Sequence, residues 1–278
     1  MNSISVFMRN VVSKLAGAFF RYKQEWKWNH EAKREKVGIQ HDSSILQTLC
    51  GRCLILIPHS DDEWIGCSQV LQSNNEVVLC NMDMEGGDTE NLHKERFYEM
   101  SRVAKEFSRR LITIKDNKVE LLRKTIIEFN PDFVFLPFFI DWHPEHIAVM
   151  RMLSSAIELL DKTEIHFQVV TYQISCPIVN GITHALPMSE EEWKHKWSYF
   201  KSHYPTQIHI PYLRFSLNEV INGAFIGSFA AEVFCVFEAE EWKSNFSNRI
   251  PTKGKIIQLK SKLGSISSMR DYLKKEYN

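Results

Sequence analysis

Two short polar clusters hold most of the chemistry available to this chain. Pro58-His59-Ser60-Asp61-Asp62-Glu63 follows the apolar run at 53–57, and Asp141-Trp142-His143-Pro144-Glu145-His146 follows the apolar run at 133–138. Zinc accepts imidazole nitrogen and carboxylate oxygen, and a catalytic zinc site keeps a position open for water. His59, Asp62 and His146 would make a two-histidine, one-carboxylate donor set and leave Asp61 free beside it. A divalent metal acidifies water toward neutral pH, so Asp61 could take the proton of a water attacking an amide carbonyl. The metal and a protonated His143 would then stabilise the oxyanion, and Asp61 or His143 would return a proton to the leaving amine. Glu145 stands where it could hydrogen-bond His143 or a ligand histidine and fix its tautomer. A plainer use also exists, since Asp61 or Asp62 could cap a helix starting near Glu63. Either cluster alone is a weak signal, and the pair together favours a metal site.

Positioning two segments more than eighty residues apart requires a particular fold. Short apolar strands are expected at 53–57, 76–80, 111–114, 132–138 and 167–172, alternating with helices near 63–72, 91–107, 118–129 and 146–160. That alternation predicts an α/β fold, a doubly wound, mostly parallel sheet. A less regular stretch at 176–242 reads as a C-terminal cap or edge, with a strand at 230–237. In a 3-2-1-4-5 strand order, the first and fourth strands are neighbours at the switch point, where ligands collect at the carboxyl ends of strands. Both clusters follow those two strands.

Charge separates the chain into three parts: a basic amphipathic segment at 1–44, a catalytic body at 45–242 and a basic tail at 243–278. Residues 1–40 carry eight Lys/Arg against three acids, 243–278 carry nine against two, and the net charge of zero hides this. Such ends either meet something anionic, such as lipid headgroups, or are solvated and partly disordered. Ile4, Phe7, Met8, Val11, Val12, Leu15, Ala16 and Phe19 recur at helical spacing with no acid before Glu25. This predicts a basic amphipathic helix that lies in a membrane interface or docks on the body or another subunit. No run reaches the roughly 18 apolar residues of a membrane span. Six scattered cysteines, several in strand-like runs, fit a reducing cytoplasm, with Cys50 and Cys53 the start of a strand rather than a redox pair. The lysines of the tail are not interleaved with aromatics, which argues against nucleic acid as a partner.

The residues 58–67, Pro-His-Ser-Asp-Asp-Glu-Trp-Ile-Gly-Cys, resemble the signature of the PIG-L/LmbE-like N-acetylglucosamine deacetylase family, usually written His-Pro-Asp-Asp-Glu. Residues 141–146 resemble its second motif, and Arg96-Phe97-Tyr98-Glu99 resembles an Arg-x-x-Glu helix after the second strand. Tyr204-Pro205-Thr206-Gln207 and Ala231-Glu232-Val233-Phe234 are weaker echoes, so the resemblance spans about 50–240. It implies a Rossmann-like fold, Zn2+ or another divalent metal, and hydrolysis of an N-acetyl group on an amino sugar. By position it implies His59, Asp62 and His146 as metal ligands, Asp61 as base, His143 at the oxyanion and Arg96 on substrate or acetate. Ser60 in place of the usual Pro loosens a turn, and Glu145 in place of the usual Asp is the larger departure. Arg96 and Glu99 would otherwise read as a surface ion pair at i, i+3. Trp193, Trp197, Tyr199, Phe200, His203 and Tyr204 offer a sugar-stacking wall or, at helical spacing, core. The expectation is a cytoplasmic zinc-dependent deacetylase of a free, nucleotide-linked or lipid-linked N-acetylglucosamine-type sugar, peripheral at the inner membrane face in one version. Its rivals are a deacetylase of small-thiol synthesis and a non-catalytic module with a vestigial metal site.

Overall fold

The structure, a computed structural model, describes residues 2–84, 89–207 and 209–276, with side chains described from residue 19 onward except at 245–249. The stripe expected at 4–16 and the Glu85-Gly86-Gly87-Asp88 loop lie outside the described side chains. In chain order the elements are α1 (Asn2–Val37), β1 (Arg52–Ile57), α2 (Asp62–Gln72), β2 (Glu76–Asn81), α3 (Glu90–Glu106), β3 (Arg110–Thr113) and α4 (Lys118–Phe129). There follow β4 (Phe133–Pro137), α5 (Pro144–Glu158), β5 (Gln168–Tyr172), β6 (His184–Met188), α6 (Glu190–His203) and α7 (Tyr212–Gly223). The last elements are β7 (Ala230–Glu238), α8 (Ala239–Arg249), α9 (Lys253–Ser261) and α10 (Ile266–Glu276).

These form one mixed sheet in the order β3-β2-β1-β4-β5-β7-β6. The first five strands run parallel, and β7 pairs antiparallel with both β5 and β6. Alternate residues of each inner strand feed opposite faces, as the period of two requires. On β1, Leu54 and Leu56 point to a core shared with α4, α5, α8 and α10, while Cys53, Ile55 and Ile57 face α2, α3 and α6. Local signals set several boundaries. Pro144 opens α5 with its φ already helical. Ser189 and Glu192 form a reciprocal capping box on α6, and Asn130, left-handed at φ 49°, ends α4 before Pro131.

The expected strand order therefore places β1 beside β4, and both clusters leave the sheet at this switch point. The aromatic segment at 193–204 is core rather than a sugar wall: Trp197, Tyr199, Phe200 and Tyr204 are buried, with Trp64 stacked on Tyr199 at 4.2 Å. Residues 243–276 are mostly helical rather than a solvated tail, because Ile266, Met269, Arg270 and Leu273 recur at i, i+3, i+4, i+7 and are buried. The boundary expected at 242/243 falls within α8.

The two basic ends meet each other. Gln24, Lys27 and Trp28 of α1 all donate to the Gly264 carbonyl, at 2.8, 3.0 and 3.3 Å. Glu31 accepts from Ser265 Oγ and from the Ile266 backbone N–H, both at 2.8 Å, so a carboxylate of α1 caps α10. Among the described residues, no helix is long and apolar enough to cross a membrane.

Candidate metal centre and active site

The first cluster leaves β1 as a tight turn: the His59 carbonyl accepts from the Asp61 and Asp62 backbone N–H groups, at 2.8 and 3.1 Å. Asp61 stands at the N-cap of α2 without a side-chain capping bond, so the capping use of this acid is not realised. Asp62 turns its carboxylate back instead, and Oδ2 accepts from the His59 backbone N–H at 3.1 Å. The second cluster leaves β4, passes Asp141 and enters α5, which delivers His146 one turn after His143.

Three side-chain atoms from these segments converge. His59 Nδ1 lies 3.2 Å from His146 Nε2 and 3.3 Å from Asp62 Oδ2, and His146 Nε2 lies 3.4 Å from the same oxygen. Donors bound roughly 2.0–2.1 Å from a zinc ion at tetrahedral angles sit roughly 3.3–3.4 Å apart. The triangle thus has the edge lengths of one face of a ligand tetrahedron, and the donor set fits a divalent cation. His143 completes a three-histidine group whose nitrogens all lie within 4.8 Å of one another. Its Nδ1 is buried with no hydrogen-bond partner among the described residues, an orphan at the edge of the triangle.

Each triangle histidine has a carboxylate on its far nitrogen. Asp141 Oδ2 pairs with His146 Nδ1 at 2.8 Å, while Asp141 Oδ1 accepts from the His143 backbone N–H at 2.8 Å. Glu145 Oε2 makes a short contact with His59 Nε2. This is the arrangement that fixes tautomers around metal-bound imidazoles. Glu145 thus meets His59 and stands 3.9 Å from His143 Nδ1. Sequence reasoning passed over Asp141 as an orienting residue, although its position one residue beyond Ile140 in the second cluster was visible.

The charges are arranged to hold one another. Burial pushes Asp62 up, but His146 and His59 outweigh it and hold the carboxyl well below its usual range. Burial opposes protonation of His59, yet Asp62 and Glu145 raise it to about 9. His143 behaves oppositely: burial, then His146 and His59, push it down to about 4. Where a protonated His143 is expected from the sequence, these surroundings favour the neutral ring, which can still donate a hydrogen bond.

A cavity of about 550 Å³ opens above the triangle, within the size range of small-ligand sites. His59, Asp61, Asp62, His143, Glu145 and His146 form one wall, and Arg96 of α3 also lines it. Glu99, four-fifths of a turn beyond Arg96, is buried and accepts from Thr206 backbone N–H and Oγ1 at 3.0 and 2.6 Å. It fastens the loop carrying Gln207, a cavity residue, to α3. The Tyr204 hydroxyl donates to Glu63 at 2.7 Å, and burial pushes Glu63 up to about 8.

α2 is held by a buried ion cluster that the sequence did not announce. The helix kinks at Cys67. Across the kink, the Gln69 N–H donates to Glu232 Oε2 at 3.0 Å and the Ile65 carbonyl accepts from Lys196 Nζ at 2.8 Å. Lys196 pairs in turn with Glu232, 2.6 Å away, and with Glu219. An ion pair thus bridges the donor and acceptor that an unbroken helix would join directly.

No protein-family model matches the chain, nor does any curated protein sequence. Among solved structures, the conserved protein TT1542 from Thermus thermophilus matches with a TM-score of 0.53 at 19% identity, over 66% of this chain and 93% of that one. That likeness is one of fold. The A40926 pseudoaglycone deacetylase Dbv21 aligns at TM-score 0.48 and 17% identity, over 68% of this chain and 98% of its own. A triple mutant of a deacetylase involved in teicoplanin biosynthesis aligns at 0.47 and 15%, over 67% and 98%.

Proposed function

We propose that this chain is a zinc-dependent hydrolase that removes the N-acetyl group from an N-acetylglucosamine-type sugar. The observation that carries the reading is the triangle of His59 Nδ1, Asp62 Oδ2 and His146 Nε2, with Asp61 beside it in the same cavity. The motif resemblance at 58–67 and 141–146 supports the choice of an acetamido sugar. His59, Asp62 and His146 would hold the cation, which supplies Lewis-acid polarisation of the amide carbonyl and water acidic enough to react near neutral pH. Asp61 accepts the proton of the attacking water and returns it to the amide nitrogen as the C–N bond breaks. The products are the free amino sugar and acetate. Neutral His143 donates a hydrogen bond to the carbonyl oxygen as negative charge develops there. Glu145 and Asp141 keep one nitrogen of His59 and of His146 turned toward the triangle, where a bound cation would take the place of the proton that His59 holds at neutral pH. Arg96 lines the cavity where it can meet the substrate or the departing acetate.

Metal content measured together with acetate release from a panel of N-acetylglucosamine conjugates tests the reading. Stoichiometric zinc with acetate release supports it. A protein that takes up no metal, and whose sugar binding is unchanged in His59→Ala, is instead a binding module. Release confined to a small-thiol precursor would assign it to that synthesis.

We also propose a peripheral contact with an anionic membrane through α1. Phe19, Phe20, Tyr22 and Trp26 are 62–71% exposed on this helix, which carries Arg21 and Lys23 among them. Co-flotation with anionic vesicles that is lost on deleting residues 1–24 supports a peripheral location, and equal flotation of both forms rejects it.

A further inference from the structure

α1 and the loop leading into α7 line a second cavity, of about 520 Å³, which shares His209, Ile210 and Pro211 with the cavity above the triangle. The two therefore adjoin across one short segment of chain. On α1 the lining residues are Phe20, Arg21, Gln24, Glu25 and Trp28. They recur at i, i+1, i+4, i+5 and i+8 and so share one side of the helix. Phe19, Tyr22 and Trp26 project from the other side, which keeps that exposed aromatic stripe separate from this groove. α1 also lies outside the 50–240 span of the motif resemblance, so this chain brings the wall itself.

The polar groups of the groove are not spent on one another. Arg21 and Glu25 stand four residues apart on the same side, yet among the described residues neither side chain forms an ion pair or a hydrogen bond. Gln24 gives its Nε2 to the Gly264 carbonyl at 2.8 Å, leaving Oε1 as an acceptor. Trp28 bonds the same carbonyl through Nε1 at 3.3 Å, which fixes its ring in the wall. The groove thus offers the five N–H donors of a guanidinium, three side-chain acceptor oxygens and aromatic surface. An alkyl chain laid here would strip water from Arg21 and Glu25 and return no hydrogen bonds. An anion would meet Glu25, and a cation would meet Arg21. A neutral polyol can bond both and lay its C–H face on a ring.

We propose that this groove is a subsite for a second, uncharged sugar: the substrate is a saccharide whose acetamido sugar sits at the triangle and whose neighbouring pyranose crosses the 209–211 rim onto α1. Its hydroxyls bond Arg21, Gln24 and Glu25, and its apolar face rests on Phe20 or Trp28. This rests on the deacetylase reading for the sugar at the triangle.

The test compares methyl N-acetylglucosaminide, hexyl N-acetylglucosaminide and a panel of uncharged disaccharides that contain N-acetylglucosamine. For the wild type and for a double variant, Arg21→Ala with Glu25→Ala, kcat/KM is measured with each, alongside calorimetric binding to the metal-loaded protein. The wild type is expected to prefer at least one disaccharide over the methyl glycoside by about tenfold or more, with the ratio falling toward one in the double variant. A wild type that prefers no disaccharide, in turnover or in affinity, overturns the proposal even if the variant does not fold. So does a preference that survives in the double variant. A gain with the hexyl glycoside as large as with the best disaccharide makes the groove an alkyl site and overturns it as well. Acetate release from the methyl glycoside without any disaccharide preference removes the subsite and keeps the deacetylase reading. Disaccharide binding that depends on Arg21 and Glu25, without acetate release from any ligand, keeps the subsite and removes that reading.

Discussion

Replacing Asp141 by asparagine is expected to weaken metal binding more than replacing Glu145 by glutamine, although both remove one negative charge beside a triangle histidine. Asp141 is 1% exposed and both its oxygens are committed, Oδ2 to His146 Nδ1 and Oδ1 to the His143 backbone N–H. In Asp141→Asn one oxygen can still accept from the backbone, and the amide nitrogen then faces His146. That nitrogen only donates, so Nδ1 must accept, and the ring proton moves to Nε2, the atom facing Asp62 and His59. Turning the amide over would set its NH₂ against the His143 N–H. The wrong tautomer is therefore enforced. Loss of an orienting partner costs about 10–100-fold in metal affinity, and this variant belongs at the upper end, about 100-fold or ~2.7 kcal/mol. The Glu145 side chain is 33% exposed, and the replacement amide is free to rotate and present its oxygen to His59 Nε2. The loss there is about tenfold or less. Zinc affinity at pH 7, measured by competition with a chromophoric chelator on folded protein, separates the two. An Asp141→Asn variant within about threefold of wild type, or a larger loss in Glu145→Gln, would falsify the tautomer argument.

Asp61→Asn keeps the donor triangle, so zinc content should stay stoichiometric while acetate release falls by about 10²–10⁴-fold; near-normal turnover would remove Asp61 as the base. Lys196→Met leaves Glu219 and Glu232 buried against each other, and a loss of about 3–5 kcal/mol in urea unfolding is expected. Burial, partly offset by Lys196, pushes Glu219 up to about 7. The folded state therefore holds a proton that the unfolded chain releases near pH 4.5, so this group's contribution is present below that pH and lost as pH rises through about 7. Glu219→Gln should flatten that part of the decline, and an unchanged difference in Tm between pH 5 and pH 8 would count against it. At Gly66 an added Cβ would lie 2.3 Å from the ring of buried Tyr172, so Gly66→Ala should destabilise by about 1–3 kcal/mol and disturb α2, which carries Asp62.

The parallel half of the sheet was legible because β1, β2, β4 and β5 are buried on both faces and read as continuous apolar runs, and the helices between them have clear periods. The stretch at 176–242 was not, because β6 is an edge strand containing Pro187 and β7 runs against its neighbours. The chemical residues were legible as clusters, since a sharp strand-to-helix turn keeps them adjacent in sequence. Their orienting partners were less so. Glu145 reaches His59 across 86 positions, and Lys196 reaches Glu232 across 36, distances at which sequence carries no pairing information. In contrast, the apolar repeat of α10 is present in the sequence, interleaved with the basic residues Arg270, Lys274 and Lys275.

The meeting of Gln24, Lys27 and Trp28 on Gly264 also has a consequence in time. Gln24 is made 240 residues before its acceptor, which at about 5–20 residues per second is a delay of roughly 10–50 s. During that interval the parallel strands and the donor triangle can already assemble. The inner side of α1, with Trp28 and the Glu31 carboxylate, must still wait for residues 263–266. Until then α1 has α7 to pack against, Ala32 and Trp28 sharing an apolar cluster with Leu213, Leu217 and Ile221, but not its polar clasp. The wall of the cavity that bears Leu263 therefore closes last, after the donor triangle.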